Sequence, residues 1–244
     1  MEDMSGRDRL WVALDYPTLG EAAETAGELA CHVGAFKVGT ELAAGQGWPK
    51  AIDEITLVGG TTFADMKLND IPTTMVNTAK IALASEPAFI NVHTLSGVEG
   101  MRAVKEASQG IAKVLGVTVL TSIEDEGVGK QNESLRMFRR RAGNQVLELA
   151  SMAYDAGLDG LICSPKEISL IRKNSIFNSM ILATPGIRPS WAQANDQKRF
   201  MTPKEAIERG GNIVIVGRPV TSSPLPGGKV EAAQSIVHEL AEAA

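Results

Sequence analysis

The sequence predicts an α/β chain of the (β/α)8, or TIM-barrel, class, and three observations carry that prediction. Eight short apolar runs alternate with helix-patterned stretches along 244 residues, the size and count of such a barrel. The runs are apolar throughout rather than alternating, as parallel strands covered on both faces are. No Gly-x-Gly-x-x-Gly follows the first run and the units recur evenly, which disfavours the competing doubly wound sheet. No linker or compositional break divides the chain, so residues 1–244 are expected to form one domain.

Each unit can be justified in turn. Leu10 to Asp15 (LWVALD) is an apolar run ending on a carboxylate, and after Pro17 a helical pattern covers Leu19 to His32. Ala35 to Val38 is the second strand, followed by Gly39 and helix-like sequence to about Val58. Thr61 to Leu68 is the third, and its helix runs from Pro72 to Ser85. Proline opens a helix well because its missing N–H would lack a partner there anyway. Phe89 to Thr94 (FINVHT) is the fourth strand, with a helix from Gly97 to Ser108. Lys113 to Leu120 (KVLGVTVL) is the fifth, ending at Thr121-Ser122; a polar loop and a long helical segment, Glu133 to Ala156, follow. Leu158 to Ser164 is the sixth, with a short helix after Pro165. Met180 to Thr184 is the seventh, ending in Pro185-Gly186, and Ile213 to Val216 the eighth, ending in Gly217-Arg218. Pro224 to Gly228 reads as a connecting turn, and Val230 to Ala243 closes with a helix.

Composition narrows the function classes. Hydrophobic content of 44% and charged content of 22% are ordinary for a soluble globular protein. A net charge of -5 argues against a nucleic-acid surface, and the basic run Arg139-Arg140-Arg141 reads as a solvated helix face. The two cysteines, Cys31 and Cys163, lack metal-site spacing and fit a reducing compartment. The first residues (MEDMSGRDRL) do not resemble a signal peptide, and no apolar run reaches membrane-spanning length. A cytoplasmic protein without membrane or nucleic-acid partners is expected.

The most informative stretch is Asp65 to Thr74 (DMKLNDIPTT). Asp65 and Lys67 are two apart, so on a regular strand their side chains leave the same face, and Asp70 follows one turn later. Carboxylates alternating with an ammonium suit a site where charge must be stabilised during a reaction; a solvated strand end with an incidental ion pair is the competing reading. In (β/α)8 barrels the active site is built at the C-terminal ends of the strands. Those ends here carry Asp15, Lys37, Asp65 with Lys67, His93, Thr121, Ser164, Gly186 with Arg188, and Gly217 with Arg218. His93 alone would more often be a satisfied hydrogen-bonding residue than a catalyst. Gly217-Arg218 after the eighth strand, with Arg188 after the seventh, suggests a phosphate site. Ile187 to Arg199 (IRPSWAQANDQKR) reads as a long polar loop, either a lid over that phosphate or a plain surface loop.

These residues resemble the orotidine 5'-phosphate decarboxylase family. Asp65 to Thr74 matches the family's D-x-K-x-x-D-I-P-x-T signature, and the resemblance covers nearly the whole chain. VALDY, FKVG, NVH, VTVLTS, GLDGLICS, TPGIRP, ANDQKRFMTP and VGRPVT follow in the family's order. The central motif alone is shared in part with related phosphate-binding barrels; the full set is specific. Departures are Ala64 and Met66 around Asp65, and Asn69 where many bacterial members carry His.

The resemblance implies conversion of orotidine 5'-monophosphate to uridine 5'-monophosphate and CO2, with no metal and no organic cofactor, in a homodimer with shared active sites. It assigns Lys67 as the ammonium that protonates C6, Asp65 as the group facing the substrate carboxylate, and Lys37 and Asp15 as ligand-contacting members of the charge array. Asp70 and Thr74 match positions that reach into the neighbouring subunit's site. Thr121 meets the pyrimidine edge, and Arg188, Gln197, Gly217 and Arg218 hold the phosphate. Two alternatives remain at the level of sequence. One is a metal-dependent sugar-phosphate decarboxylase or aldolase on the same framework, the other a catalytically silent nucleotide-binding barrel. A Schiff-base role for Lys67 is disfavoured, because flanking carboxylates favour its protonated form.

Overall fold

In the computed structural model, which describes residues 4–123, 126–127, 130–131, 137–138, 141–192 and 201–243, the eight predicted runs are the eight strands of one closed parallel barrel. They are β1 (Leu10–Ala13), β2 (Ala35–Val38), β3 (Thr62–Leu68), β4 (Phe89–His93), β5 (Lys113–Val117), β6 (Gly160–Ile162), β7 (Ile181–Thr184) and β8 (Ile213–Val216). Neighbours in sequence are neighbours in the barrel, and β1 closes the ring by pairing with both β2 and β8. The helices are α1 (Gly6–Arg9), α2 (Leu19–Leu29), α3 (Thr40–Gln46), α4 (Trp48–Leu57), α5 (Pro72–Leu83) and α6 (Gly97–Ser108). They continue as α7 (Ala142–Asp155), α8 (Ile168–Arg172), α9 (Pro203–Glu208), α10 (Arg218–Thr221) and α11 (Gly228–Glu242).

The strand periodicity of two divides the apolar residues into two cores. Trp11, Ala13, Phe63, Leu115, Val117, Ile162, Ala183 and Ile215 point inward and fill the barrel. Leu10, Val12, Leu14, Phe36, Val38, Ile90 and Val92 point outward into the layer shared with the helices. Inside, the Trp11 ring lies 5.2 Å from Phe63 and 4.5 Å from Phe89, both tilted. Three large rings from β1, β3 and β4 thus plug the lower barrel, and the inward positions one pleat further on are left for polar groups. Truncating such a core aromatic costs about 3–5 kcal/mol, so the plug is the floor on which the site rests.

Three expectations need correction. The helix-like stretch after β2 is two helices, because Gly47 at φ 79 ends α3 and its left-handed geometry redirects the chain into α4. The long helical segment expected from Glu133 is not continuous: Met137 and Phe138 are helical, but Arg141 is extended (φ -68, ψ 149) and a separate helix starts at Ala142. Arg141 is therefore the residue before the helix and not part of a helical face; Arg139 and Arg140 lie outside the described residues. The polar loop after β5 contains a short antiparallel pair, Glu126–Gly127 with Lys130–Gln131. Among the described residues no helix is long and apolar enough to cross a membrane.

Candidate active site

Strands β1, β2 and β3 deliver Asp15, Lys37, Asp65 and Lys67 to one end of the barrel, and the four charges alternate in sign. Asp15 Oδ1 accepts from Lys37 Nζ at 2.8 Å, Lys37 Nζ lies 3.5 Å from Asp65 Oδ2, and Asp65 Oδ2 accepts from Lys67 Nζ at 2.7 Å. Exposure is lowest in the middle of the array, where the Asp65 and Lys37 side chains are 10% and 14% exposed, and rises to 37% at Lys67. Burial by itself would raise the pKa of Asp65. The ammoniums of Lys37 and Lys67, with hydrogen bonds from Lys67 and Asn91, outweigh it and hold this carboxyl below its ordinary value. Asp65 is therefore a fixed anion, and the array is internally neutral. Gly39, one pleat beyond Lys37, belongs to the same construction: a Cβ there would lie 2.8 Å from Lys37 Nζ.

Lys67 reaches this position by a route that regular strand geometry does not give. The β3–β4 ladder pairs Ala64 with Ile90 and next pairs Leu68 with Val92, four steps on β3 against two on β4. The excess is a bulge, and within it Lys67 takes φ 48, left-handed backbone that non-glycine residues rarely adopt. Asp65 and Lys67 do share the mouth of the barrel, through a bulge and not through simple alternation. Opposite the bulge stands Asn91, fully buried. Its Oδ1 accepts the Lys67 backbone N–H at 2.6 Å, and its Nδ2 donates to Asp65 Oδ1 at 2.7 Å. Sequence reasoning passed over Asn91, although an amide inside the apolar run FINVHT was the available signal.

The array lines a cavity of about 300 Å³ with an apolar wall formed by Val117, Val119, Ile162, Pro185 and Ile215, and with Thr121 and Ser122 at its lip. That volume and that mixture of a few converging polar groups with apolar walls suit a small ligand. Thr121 is thus beside the charges as expected. The buried Cys163 also lines the cavity, and burial foremost pushes its thiol pKa upward, so it is a protonated, inert wall.

The remaining predicted residues are distributed as follows. Arg188 is buried (6% exposed) just beyond β7, where its N–H bonds Met201 O at 3.0 Å. That bond ties the chain just after β7 to Met201, just before α9; most of the 187–199 stretch expected to be a loop, residues 193–199, lies outside the described residues. Arg218 opens α10 immediately after Gly217 at the end of β8, the strand beside β7, so both arginines belong to the same end of the barrel. Asp70 and Thr74 are exposed. Asp70 Oδ1 accepts its own neighbour's N–H, Ile71, at 2.7 Å and forms no ion pair with Lys67, so the array within one chain does not include it. His93 caps the turn after β4, its Nδ1 accepting from Leu95 N–H at 3.3 Å. Ser164 likewise caps the turn at Pro165; both are structural. Gln197 lies outside the described residues. Among the described residues no cluster of three or more His, Cys, Asp and Glu side chains is gathered for a metal ion.

Comparison with known proteins adds an independent line. A family model described as orotidine 5'-phosphate decarboxylase / HUMPS family matches residues 8–233. An orotidine 5'-phosphate decarboxylase of Dictyoglomus turgidum is 40% identical over 239 residues, covering 95% of this chain and 96% of that protein. One from Rhodospirillum rubrum is 36% identical over 240 residues, covering 95% and 93%. Among solved structures, orotidine 5'-phosphate decarboxylase from Lactobacillus acidophilus matches with a TM-score of 0.79 at 33% identity, over 95% of this chain and 98% of that one.

Proposed function

The chain belongs to the orotidine 5'-phosphate decarboxylase family, and from that premise we infer that it converts orotidine 5'-monophosphate to uridine 5'-monophosphate and CO2 in pyrimidine nucleotide biosynthesis. The observation that carries the mechanism is the alternating Asp15–Lys37–Asp65–Lys67 array at the mouth of the barrel.

The chemistry asks for such an array. Breaking the bond from C6 to the carboxylate leaves the electron pair on C6 as an sp2 carbanion with little delocalisation. A fixed ammonium beside C6 stabilises that charge as it develops and then transfers a proton to it. We assign this role to Lys67, the array's outermost ammonium, which takes a proton back from solvent afterwards. Asp65 faces the substrate carboxylate, and Lys37 and Asp15 hold the ribose side and fix Asp65. Unit charges about 4 Å apart interact by about 4 kcal/mol at an effective dielectric near 20. One pair is too little for this reaction, and binding energy from the far end of the substrate must help position the reacting carbon. Arg188, Gly217, Arg218 and Gln197 supply that grip on the phosphate, and Thr121 reads the pyrimidine edge. No metal or organic cofactor enters the reaction.

We also assign the working form as a homodimer of single-domain protomers in the cytoplasm, with no membrane or nucleic-acid partner. Support for the dimer comes from Asp70, Ile71 and Thr74, which stand exposed beside the site, with Ile71 66% exposed; each protomer's Asp70 and Thr74 then complete the other's site. Mixing inactive Lys67→Ala and Asp70→Ala chains tests this. Subunit exchange should restore about one site in four, and a mixture that stays inactive under conditions of exchange removes the shared site. The reaction itself is tested by following the ultraviolet absorbance of orotidine 5'-monophosphate with and without EDTA, beside Lys67→Ala. Turnover that EDTA leaves unchanged and Lys67→Ala abolishes is expected; a folded chain with no turnover sinks the assignment.

A further inference from the structure

We propose that Asn91 is a positioning residue for the decarboxylation, the group that holds the Lys67 turn in its left-handed conformation and orients Asp65 beneath it. The proposal rests on the assigned reaction and concerns how the array is kept in register.

Three observations meet at this side chain. The β3–β4 ladder is interrupted where β3 carries two residues more than β4, so the segment containing Asp65, Met66 and Lys67 has lost its regular partners. Lys67 sits there at φ 48, a strained conformation that persists only where its surroundings enforce it. Asn91, 0% exposed, supplies the missing partners from the facing strand: its Oδ1 takes the Lys67 N–H and its Nδ2 gives to Asp65 Oδ1. One amide therefore fixes the backbone of the cation and the side chain of the anion at once. Nδ2 takes Oδ1, and both lysines pair with Oδ2, Lys67 at 2.7 Å and Lys37 at 3.5 Å. The geometry demands an acceptor and a donor in a planar group of this length. A carboxylate offers two acceptors, and an aliphatic side chain offers neither.

Without Asn91 the Lys67 N–H is an orphan inside the barrel, and the bulge relaxes toward ordinary strand geometry, swinging the ammonium away from the reacting carbon. Misplacement of about 1 Å in such a constellation costs about 100-fold in rate. Asn91→Ala should therefore lower kcat by about that factor while KM moves by less than about threefold, because the ribose and phosphate contacts lie on other strands.

Asn91→Asp makes the sharper test. As a carboxylate it repels Asp65, but with one proton shared between the two carboxyls it reproduces the amide's pattern of one acceptor and one donor. Two carboxyls in contact raise one pKa strongly. The kcat of Asn91→Asp relative to wild type should thus rise as pH falls from 8 toward 5.5, a response that general damage to the barrel does not give. A folded Asn91→Ala chain with kcat within about threefold of wild type, or a loss expressed wholly in KM, overturns the proposal. So does a ratio of Asn91→Asp to wild-type kcat that does not change with pH; that arm decides the matter if Asn91→Ala fails to fold. A wild-type chain that does not turn over orotidine 5'-monophosphate instead removes the assigned reaction, and this role with it.

Discussion

At the N-terminal end of the barrel, Arg172 donates to Gly210 O at 2.9 Å, Phe177 O at 2.7 Å, Met180 O at 3.0 Å and Asn212 Oδ1 at 2.7 Å. At the C-terminal end, Asp65 accepts from Lys67 and from Asn91, each at 2.7 Å. Both clusters use a buried asparagine in the same way. Asn212 Oδ1 joins the cation to the β7 backbone through Leu182 N–H at 2.8 Å, and Asn91 joins the anion to the β3 backbone through Lys67 N–H at 2.6 Å. They differ in where the chain of bonds ends. Below, the guanidinium ends on backbone carbonyls of the segments that lead into β7 and β8, so its charge ties loops to strands. Above, the bonds end on side chains that open onto a cavity, and the backbone beneath them is held at φ 48. Evolution of a barrel can place stability at one end and reactivity at the other, and here the two ends should respond to substitution in opposite ways.

The largest effect should come from Lys67→Gly. It removes the proton donor and should lower kcat by about 10⁴-fold or more. Stability should hardly change, because two terms oppose each other. Glycine adopts the left-handed conformation without strain, a gain of about 1 kcal/mol, while loss of a pair whose lysine is more than a third exposed costs about as much. Kinetics and thermal melts on the same preparation check both halves; a large drop in melting temperature would show that the mouth also carries the fold. Arg172→Met is the mirror experiment. It keeps an apolar stem but leaves three carbonyls without a donor, at about 1 kcal/mol each. At about 2–4 °C per kcal/mol for a chain of this size, the melting temperature should fall by roughly 6–12 °C. The kcat measured well below the transition should stay within about twofold of wild type, since Arg172 belongs to the opposite end of the barrel from the site. A kcat that falls in step with stability would break the division between the two ends.

How far the sequence reveals each end follows from the same contrast. The eight strands were legible because burial on both faces makes a parallel strand apolar along its length. The charged groups at their C-terminal ends stood out against that background: Asp15, Lys37, Asp65 and Lys67 meet as the pattern suggested. The bulge was not legible. Nothing in DMKLND states that Lys67 has positive φ, because that sign is imposed by Asn91 across the sheet. Arg172 was hidden for a different reason. In SLIRKN it looks like any basic residue in the last turn of a helix, and three of its four partners are carbonyls of residues 177, 180 and 210, whose backbone carries no sequence signal. Asp70 shows a third limit: within one chain it only meets Ile71 N–H, and the role expected of it needs a second copy.

The smallest effect is a pH dependence of stability confined to the mouth. Burial, and then the Lys67 ammonium, push the pKa of His93 below its ordinary value, and its Nδ1 must stay unprotonated to accept from Leu95 N–H. The unfolded chain therefore takes up this proton more readily than the folded one, and stability falls as pH drops from the ordinary value of 6.5 through the lowered folded pKa. Asp65 adds a second step further down. Its contribution is complete above the ordinary value of 3.8 and is lost as pH falls through its own lowered folded pKa. The Asp65 step begins only near 3.8, whereas the His93 step begins near 6.5, so above 3.8 the His93 response can be read alone. Urea midpoints at pH 7.5 and 5.5 should differ for wild type, with the lower stability at pH 5.5. In His93→Gln, which cannot take up the proton, the difference should shrink. An undiminished difference in that variant would place the titrating group elsewhere and take the pH response away from the mouth.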